Sequence, residues 1–344
     1  MRILHGTANP GGMAGVLAKA QRQLGQVAWS VSYARGNFAY ECDQVMDSSI
    51  YRKPIAWTRF LLEKMTRFDV YHFYFGESLL GPSLWDVPLL KHMGKKVFFY
   101  FCGCDIRDSK HVIETYARSA CQHCWPLLCS RNRPRARELA LRHADGIFVS
   151  TPDLMEFVPG ARLMPQPIDL ERFDTLLNGI GGTAAPGRPG VDRPVRIAHA
   201  PSNRTIKGTA HIEAAVERLR RRGINLELVL IENQTYANAM ATTATCDLGV
   251  DKVLVGAYGQ CAVEMMALGK PTLCHIRDDL AGQYPAGCPI IRAGVKDLEA
   301  VLADWVRHPE RWPEAGRRGR AYVQKYHDKM AVAARCLQAY RKGT

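Results

Sequence analysis

No stretch of the 344-residue chain approaches the roughly 18 consecutive apolar residues that a membrane-spanning helix needs. The longest candidate, Val97 to Phe101, has the length of a strand. The N-terminus lacks the build of a secretory leader or transit peptide, holding one Arg and a short apolar stretch before the glycines begin. The expectation is a cytoplasmic protein. No repeat period runs along the sequence, which sets aside solenoids and propellers. Acidic residues are the scarce charge, 33 against 46 Lys and Arg, for a formal net charge of +13 and a pI near 9.3. Such a surplus suits one of three anionic partners: nucleic acid, a lipid surface, or phosphorylated small molecules. The basic runs at Arg131 to Arg142, Arg218 to Arg222 and Arg317 to Arg320 lack the interleaved aromatics of a single-strand binding platform, which argues against nucleic acid. Arg218, Arg220, Arg221 and Arg222 read as a solvated helix face.

What the chain does have is apolar material in regular order. With 47% hydrophobic and 23% charged residues it can bury two cores, and it is too long for one of ordinary size. Met1 to His5 reads as a strand, Gly6 to Gly15 as a loop with four glycines and a proline, and Ala14 to Leu24 as a helix. Further strands are expected at Val27 to Val31, Val70 to Phe75, Lys96 to Phe101 and Gly146 to Ser150. Helices are expected at Trp57 to Arg67 and Arg133 to His143. Asn178 to Pro194 is rich in Gly and Pro and reads as a linker. The alternation then restarts, with strands at Val195 to His199, Leu226 to Ile231, Asp247 to Val255 and Pro271 to His275. The helices of this half are Gly208 to Arg222 and Ala262 to Leu268, then Val295 to Arg307 and a tail from Gly316 to Arg341. The fold class is therefore α/β, with two Rossmann-like doubly wound domains in tandem facing a cleft at the carboxyl ends of their strands. The expected divisions are 1–175, a linker at 176–194, 195–325, and a helix at 326–344 packing back on the first domain.

The chemistry is densest in Val255-Gly-Ala-Tyr-Gly-Gln-Cys-Ala-Val-Glu-Met-Met-Ala-Leu-Gly-Lys-Pro271. Gly256 and Gly259 make a loop, a helix begins near Gln260 with its free amides suited to an anion, and Glu264 lies one turn in. This segment resembles the donor-site signature of GT-B retaining glycosyltransferases of the glycogen-synthase-like kind, in which E-G-F-G leads into x-x-x-E-A-M-A-x-G-x-P. The resemblance implies that Glu264 binds the ribose of a nucleotide and that Tyr258, Gly259 and Gln260 lie at its diphosphate. It also places Gly256 where that family carries a first glutamate near the transferred sugar, a departure that leaves stereochemistry open. Ala198-His-Ala-Pro-Ser-Asn-Arg-Thr-Ile-Lys-Gly208 resembles the family's Arg-x-x-x-Lys-Gly clamp, with Arg204 and Lys207 as the cations that neutralise a leaving diphosphate. Glu232 and Asn233, ending the next strand, fall where the family holds the base.

Elsewhere the resemblance implies an acceptor side. Gly11 and Gly12 stand in the first Gly-rich loop, which is not a dinucleotide fingerprint because Gly11, Gly12 and Gly15 miss G-x-G-x-x-G. Cys102-Gly-Cys-Asp-Ile-Arg107 replaces the family's His-Gly-Ser-Asp, making Asp105 and Arg107 candidates to orient an acceptor; the plainer reading makes Asp105 a helix cap. Eleven cysteines in a cytosolic chain should be thiols or metal ligands. Cys104, Cys121, Cys124 and Cys129 have the close spacing of a structural zinc site, with free thiols or a redox pair as alternatives. Catalysis itself needs no cofactor in the family, where cations and a helix N-terminus serve the diphosphate. The implied function is transfer of a sugar from a UDP- or GDP-type donor to a small-molecule, glycan or lipid-linked acceptor, the last with peripheral contact at the inner membrane face. The rivals are a sugar-nucleotide epimerase of the same architecture and a non-catalytic nucleotide-sugar or polyanion binder.

Overall fold

The computed structural model describes residues 1–33, 40–46, 48–124, 133–179 and 187–342. The first elements are β1 (Arg2–Gly6), α1 (Met13–Gln23), β2 (Val27–Ser32), β3 (Gln44–Val45), α2 (Pro54–Arg67), β4 (Val70–Tyr74), α3 (Asp86–His92) and β5 (Lys96–Phe101). Next come α4 (Ser109–Thr115), α5 (Arg133–His143), β6 (Gly146–Val149) and β7 (Arg162–Leu163). The second run holds α6 (Leu170–Gly179), β8 (Val195–His199), α7 (Arg204–Lys207), α8 (Thr209–Arg221), β9 (Leu226–Leu230), α9 (Tyr236–Ala244), β10 (Leu248–Val250), α10 (Gln260–Ala267), β11 (Thr272–Cys274) and β12 (Ile291–Arg292). The chain ends with α11 (Leu298–Arg307), α12 (Trp312–Tyr326) and α13 (Lys329–Lys342).

The chain divides into two compact units. Unit 1 comprises Met1–Asp108, Cys129–Pro167 and Asp328–Thr344, and unit 2 comprises Ser109–Leu128 and Ile168–His327. Unit 1 carries a seven-stranded parallel sheet in the order β3-β2-β1-β4-β5-β6-β7. Its central strands read Val-Tyr-His-Phe-Tyr and Lys-Val-Phe-Phe-Tyr-Phe and are buried on both faces, as parallel strands under helices must be. Behind them, His5 of β1 accepts from Tyr74 Oη at 2.7 Å and donates to Gln21 Oε1 of α1 at 2.8 Å. Burial keeps this imidazole neutral, with a pKa lowered to about 4. Tyr340 of α13 bonds His72, and Lys96 Nζ donates to the Tyr340 carbonyl at 2.7 Å, so the last helix is fastened to this unit.

Unit 2 carries a five-stranded parallel sheet in the order β12-β11-β10-β8-β9. Its direction of winding reverses between β8 and β10, and in unit 1 between β1 and β4. Loops leaving the carboxyl ends of strands at such a reversal enclose a crevice that no crossover helix fills. In unit 2 that crevice lies at the β8 and β10 exits.

Three sequence expectations are corrected in detail. Of Asp247 to Val255 only Leu248–Val250 is strand; Asp251 N and the Lys252 carbonyl still bond Leu273 and His275, and the chain then leaves the sheet, where Val253 N bonds the Lys207 carbonyl. The tail is two helices, broken at His327 and Asp328, where Asp328 Oδ1 accepts from Met330 N at 2.9 Å and starts α13. Helix α9, capped by Thr235 on Asn238 N, went unread in a stretch of Thr and Ala without a clear apolar stripe. Of the expected linker, 180–186 lies outside the described residues.

Candidate functional site

The loop after β8 is built around Asn203, whose Oδ1 accepts from Ile206 N at 3.0 Å and starts the one-turn α7. Gly208 ends it at φ +76°, with Val253 and Leu254 against the space a side chain would need. Lys207, the last residue of the turn, is thereby aimed at the β10 exit, and its carbonyl accepts from Val253 N at 3.1 Å. Its ammonium forms an ion pair with Asp251, a carboxylate with no solvent exposure. Burial alone would lower the Lys207 pKa; Asp251 more than offsets that and holds it above the ordinary value. Burial would likewise raise Asp251, but Lys207, then Lys252, bring it down to about 2. Both groups are therefore charged at neutral pH.

The second oxygen of Asp251 accepts from Gly259 N at 2.9 Å, where α10 begins. One side chain thus joins the cation of the β8 exit to the loop feeding α10. One turn in, Glu264 is buried and accepts from Tyr236 Oη of α9 at 3.1 Å. Burial lifts its pKa to about 7, against the pull of Tyr236 and Lys207. Gln260 Oε1, in the first turn, is buried and without a partner among the described residues. Behind the site His199 donates from Nδ1 to the Val250 carbonyl at 2.8 Å and accepts at Nε2 from Thr209 at 2.9 Å. This neutral ring ties β8, β10 and α8 into a fixed base, its pKa lowered to about 4 by burial.

Lys207, Gly259, Gln260 and Glu264 therefore share one edge, and others of the expected set do not join them directly. Arg204 is held by Glu213 and by Glu232, the latter at 2.8 Å, so both its guanidinium ends are engaged on the surface. Asn233 turns the chain after β9 with φ +54°. Tyr258 is a core residue: its ring stacks on Tyr284 and its hydroxyl meets Tyr322 at 3.2 Å and His327 at 3.0 Å. At Gly256 a Cβ would run into the Arg277 side chain, whose guanidinium lies 4.1 Å over the Tyr116 ring and bonds Asp279. Sequence reading missed Asp251, Lys252, Tyr236 and Arg277. The signal for the first two was a charged pair interrupting an apolar run where a parallel strand ends.

On unit 1, Gly12 takes φ +77° at the start of α1 after the Pro10–Gly12 turn, and Asn9 Oδ1 accepts from Ala14 N at 3.0 Å. Asp105 is buried and accepts from Cys102 N at 3.0 Å and from Gly103 N at 2.6 Å. It thus shapes the β5 exit loop rather than a helix start, and burial raises its pKa to about 6. Arg107 is ion-paired with Asp153 of the β6 exit. Cys104 belongs to unit 1, Cys121 and Cys124 belong to unit 2, and Cys129 lies outside the described residues. Among the described residues no group of three or more His, Cys, Asp or Glu converges on a metal position. Among them, too, no helix is long and apolar enough to cross a membrane.

No protein-family model and no curated protein matches the sequence. Solved structures do match in shape along nearly the whole chain. Sucrose-phosphate synthase from Thermosynechococcus elongatus superposes with a TM-score of 0.65 at 15% identity, covering 99% of this chain and 98% of its own. Anabaena HepE, solved with UDP and glucose, gives 0.64 at 11% identity with 99% of each chain covered. A protein described as a UDP-N-acetylglucosamine 2-epimerase from Listeria monocytogenes gives 0.55 at 13%, covering 99% and 96%. The chain has the GT-B fold. At these identities the likeness concerns the backbone of this GT-B chain.

Proposed function

We propose that this chain is a glycosyltransferase that moves a sugar from a nucleoside-diphosphate donor, bound on unit 2, to an acceptor hydroxyl. The observation that carries the reading is the grouping of Lys207, Asp251 and Glu264 around the first turn of α10, at the winding reversal of the second sheet. In this reading the Glu264 carboxylate accepts hydrogen bonds from the ribose hydroxyls. Lys207 and the α10 amides take the charge of the diphosphate as the bond from the sugar's anomeric carbon to the phosphate oxygen breaks. The bonding pair leaves with the diphosphate, and the oxocarbenium-like sugar is captured by the acceptor oxygen, whose proton passes to the departing diphosphate or to water. Asp105 and Arg107 serve the acceptor side, Asp105 by holding the β5 exit loop. Because HepE was solved with UDP and with UDP-glucose, uridine nucleotides are the first donors to try.

The test is a melting-temperature panel of nucleotides and nucleotide sugars, since a ligand that binds only the folded chain raises the transition. A nucleoside diphosphate should raise it for the natural sequence and not for Lys207→Ala or Glu264→Ala. NMR of a nucleotide sugar incubated alone separates the epimerase reading: interconversion of the free donor without acceptor would replace transfer as the function. If no nucleotide moves the transition, the donor site is wrong.

A further inference from the structure

The positive charge that this edge offers to a diphosphate does not come from where the sequence pattern puts it. Arg204 faces two carboxylates, Glu213 and Glu232, so its immediate surroundings carry a net negative charge. Lys207 is matched one to one by the buried Asp251, and Glu264 beside them adds a negative charge whenever it ionises. Those six groups together leave no surplus with which to hold a dianion.

Lys252 supplies it. The residue follows Asp251 at the β10 exit, and its half-buried ammonium makes no hydrogen bond or ion pair of its own among the described residues. Its Nζ stands 3.0 Å from the point a Cβ on Gly259 would occupy, and Asp251 Oδ2 stands 3.6 Å from the same point. The ammonium therefore lies over the backbone that begins α10, in space kept open because residue 259 is a glycine. The Lys252 backbone is fixed by its carbonyl, which accepts from His275 N at 2.8 Å. A flexible side chain on a fixed stem, over free amides and beside a lysine already spoken for, is a cation placed for an anionic ligand.

We infer that Lys252, rather than Arg204, is the second diphosphate-binding cation of this site, acting with Lys207 and the first turn of α10. The inference rests on the donor reading above and names the group that completes it. Gly259 belongs to the same device, because any side chain there displaces the ammonium from the amides. The chemistry recognised is a diphosphate, whether carried by a nucleotide or free.

Titration calorimetry with UDP, uridine and inorganic pyrophosphate on the natural chain, Lys252→Met and Arg204→Met decides the matter. Lys252→Met removes an ammonium that makes no hydrogen bond or ion pair among the described residues and keeps the stem, while Lys207 still holds Asp251 ionised, so its melting temperature should match the natural chain within about 1 °C. Its affinity for UDP should fall about tenfold or more, while uridine binding stays the same, and Arg204→Met should change UDP affinity less than threefold. Pyrophosphate bound as tightly as UDP, and lost with Lys252, would keep the assignment and make free diphosphate the ligand. Unchanged UDP affinity in Lys252→Met, or a loss confined to Arg204→Met, overturns the assignment and leaves the donor reading standing. A natural chain that binds neither UDP nor any other nucleoside diphosphate overturns both.

Discussion

Two buried carboxylates, one in each unit, sit in comparable places and behave in opposite ways. Asp105 follows β5 in unit 1 and Asp251 follows β10 in unit 2, each at the carboxyl edge of its parallel sheet. Both are shut away from water, and burial pushes both toward the neutral acid. Asp105 is answered mainly by backbone amides and stays raised, at about 6. Asp251 is answered by the Lys207 ammonium as well as an amide and falls to about 2. At Asp105 the amide dipoles shape a loop without offsetting burial; at Asp251 a full opposite charge keeps the buried carboxylate ionised down to a pH of about 2. The Asp251 edge is thus electrostatically preset, whereas the Asp105 edge is a scaffold whose charge state is adjustable.

The sharpest way to break that contrast is to delete the preset carboxylate. Asp251→Ala leaves the Lys207 ammonium buried without a counter-charge and frees Gly259 N, and it should cost about 3–5 kcal/mol in urea unfolding. Adding Lys207→Met should recover much of the loss, because the stranded charge goes with it. Loss of the same size in the double variant would mean that the loop bond, not the ion pair, holds the edge. Since the folded pKa of Asp251 is depressed, its contribution is present above the unfolded value of 3.8 and lost only as pH falls through about 2. Acid titration down to pH 4 should leave it intact.

Glu264 gives the next effect, in binding rather than folding. Its carboxyl is raised to about 7 by burial, and only the ionised form accepts from two ribose hydroxyls. Affinity for a nucleotide sugar, whose diphosphate does not titrate near neutrality, should therefore rise roughly tenfold from pH 6 to pH 8. Glu264→Gln should bind weakly and show no such slope. A flat profile in the natural chain would remove Glu264 from the ribose.

How much of this was legible beforehand follows the same divide. The sheets were plain, because runs such as Lys96 to Phe101 and Val195 to His199 have few alternatives to a buried parallel strand. Lys207 and Glu264 stand out in the sequence because short-range patterns that resemble the family's carry them: a basic loop after a strand, a glycine loop before a helix. Asp251 lies inside an apolar stretch that reads as a strand with its entry loop, since its partner Lys207 is far away in sequence and ion pairing across loops leaves no local mark. Tyr258 was placed at the ligand by its neighbours in sequence, yet its ring had Tyr284, Tyr322 and His327 waiting in the core. Arg204 reads as a clamp cation by its resemblance to Arg-x-x-x-Lys-Gly, but the two glutamates that hold it come from α8 and the β9 exit, where no local pattern announces them.

Asp105→Asn tests the other member of the pair and should do less. An amide oxygen can still accept from Cys102 N and Gly103 N, so the change should stay within about 1 kcal/mol at pH 7. The pH dependence is more telling than the size. The Asp105 pKa is raised above its unfolded value, so its stabilisation is full below 3.8 and is lost as pH rises through about 6. Urea unfolding should favour the natural chain more at pH 4.5 than at pH 6, with the gap to the variant closing by pH 7. A gap that widens with pH would show a carboxylate held ionised, as Asp251 is, and would erase the contrast between the units.

The smallest change is at Tyr236, and it probes how finely the second edge is set. Tyr236→Phe deletes one hydrogen bond to Glu264 and keeps the ring on which the Arg172 guanidinium rests at 5.6 Å. The stability loss should be about 1 kcal/mol or less. That bond favours the ionised carboxylate and pulls its pKa down against burial, so its loss should move Glu264 higher still. The midpoint of the nucleotide-sugar binding profile should shift upward in pH, with the plateau affinity at high pH nearly unchanged. An unshifted midpoint with lower affinity at every pH would make Tyr236 a direct ligand contact, because only a group acting through Glu264 can move the titration and spare the plateau.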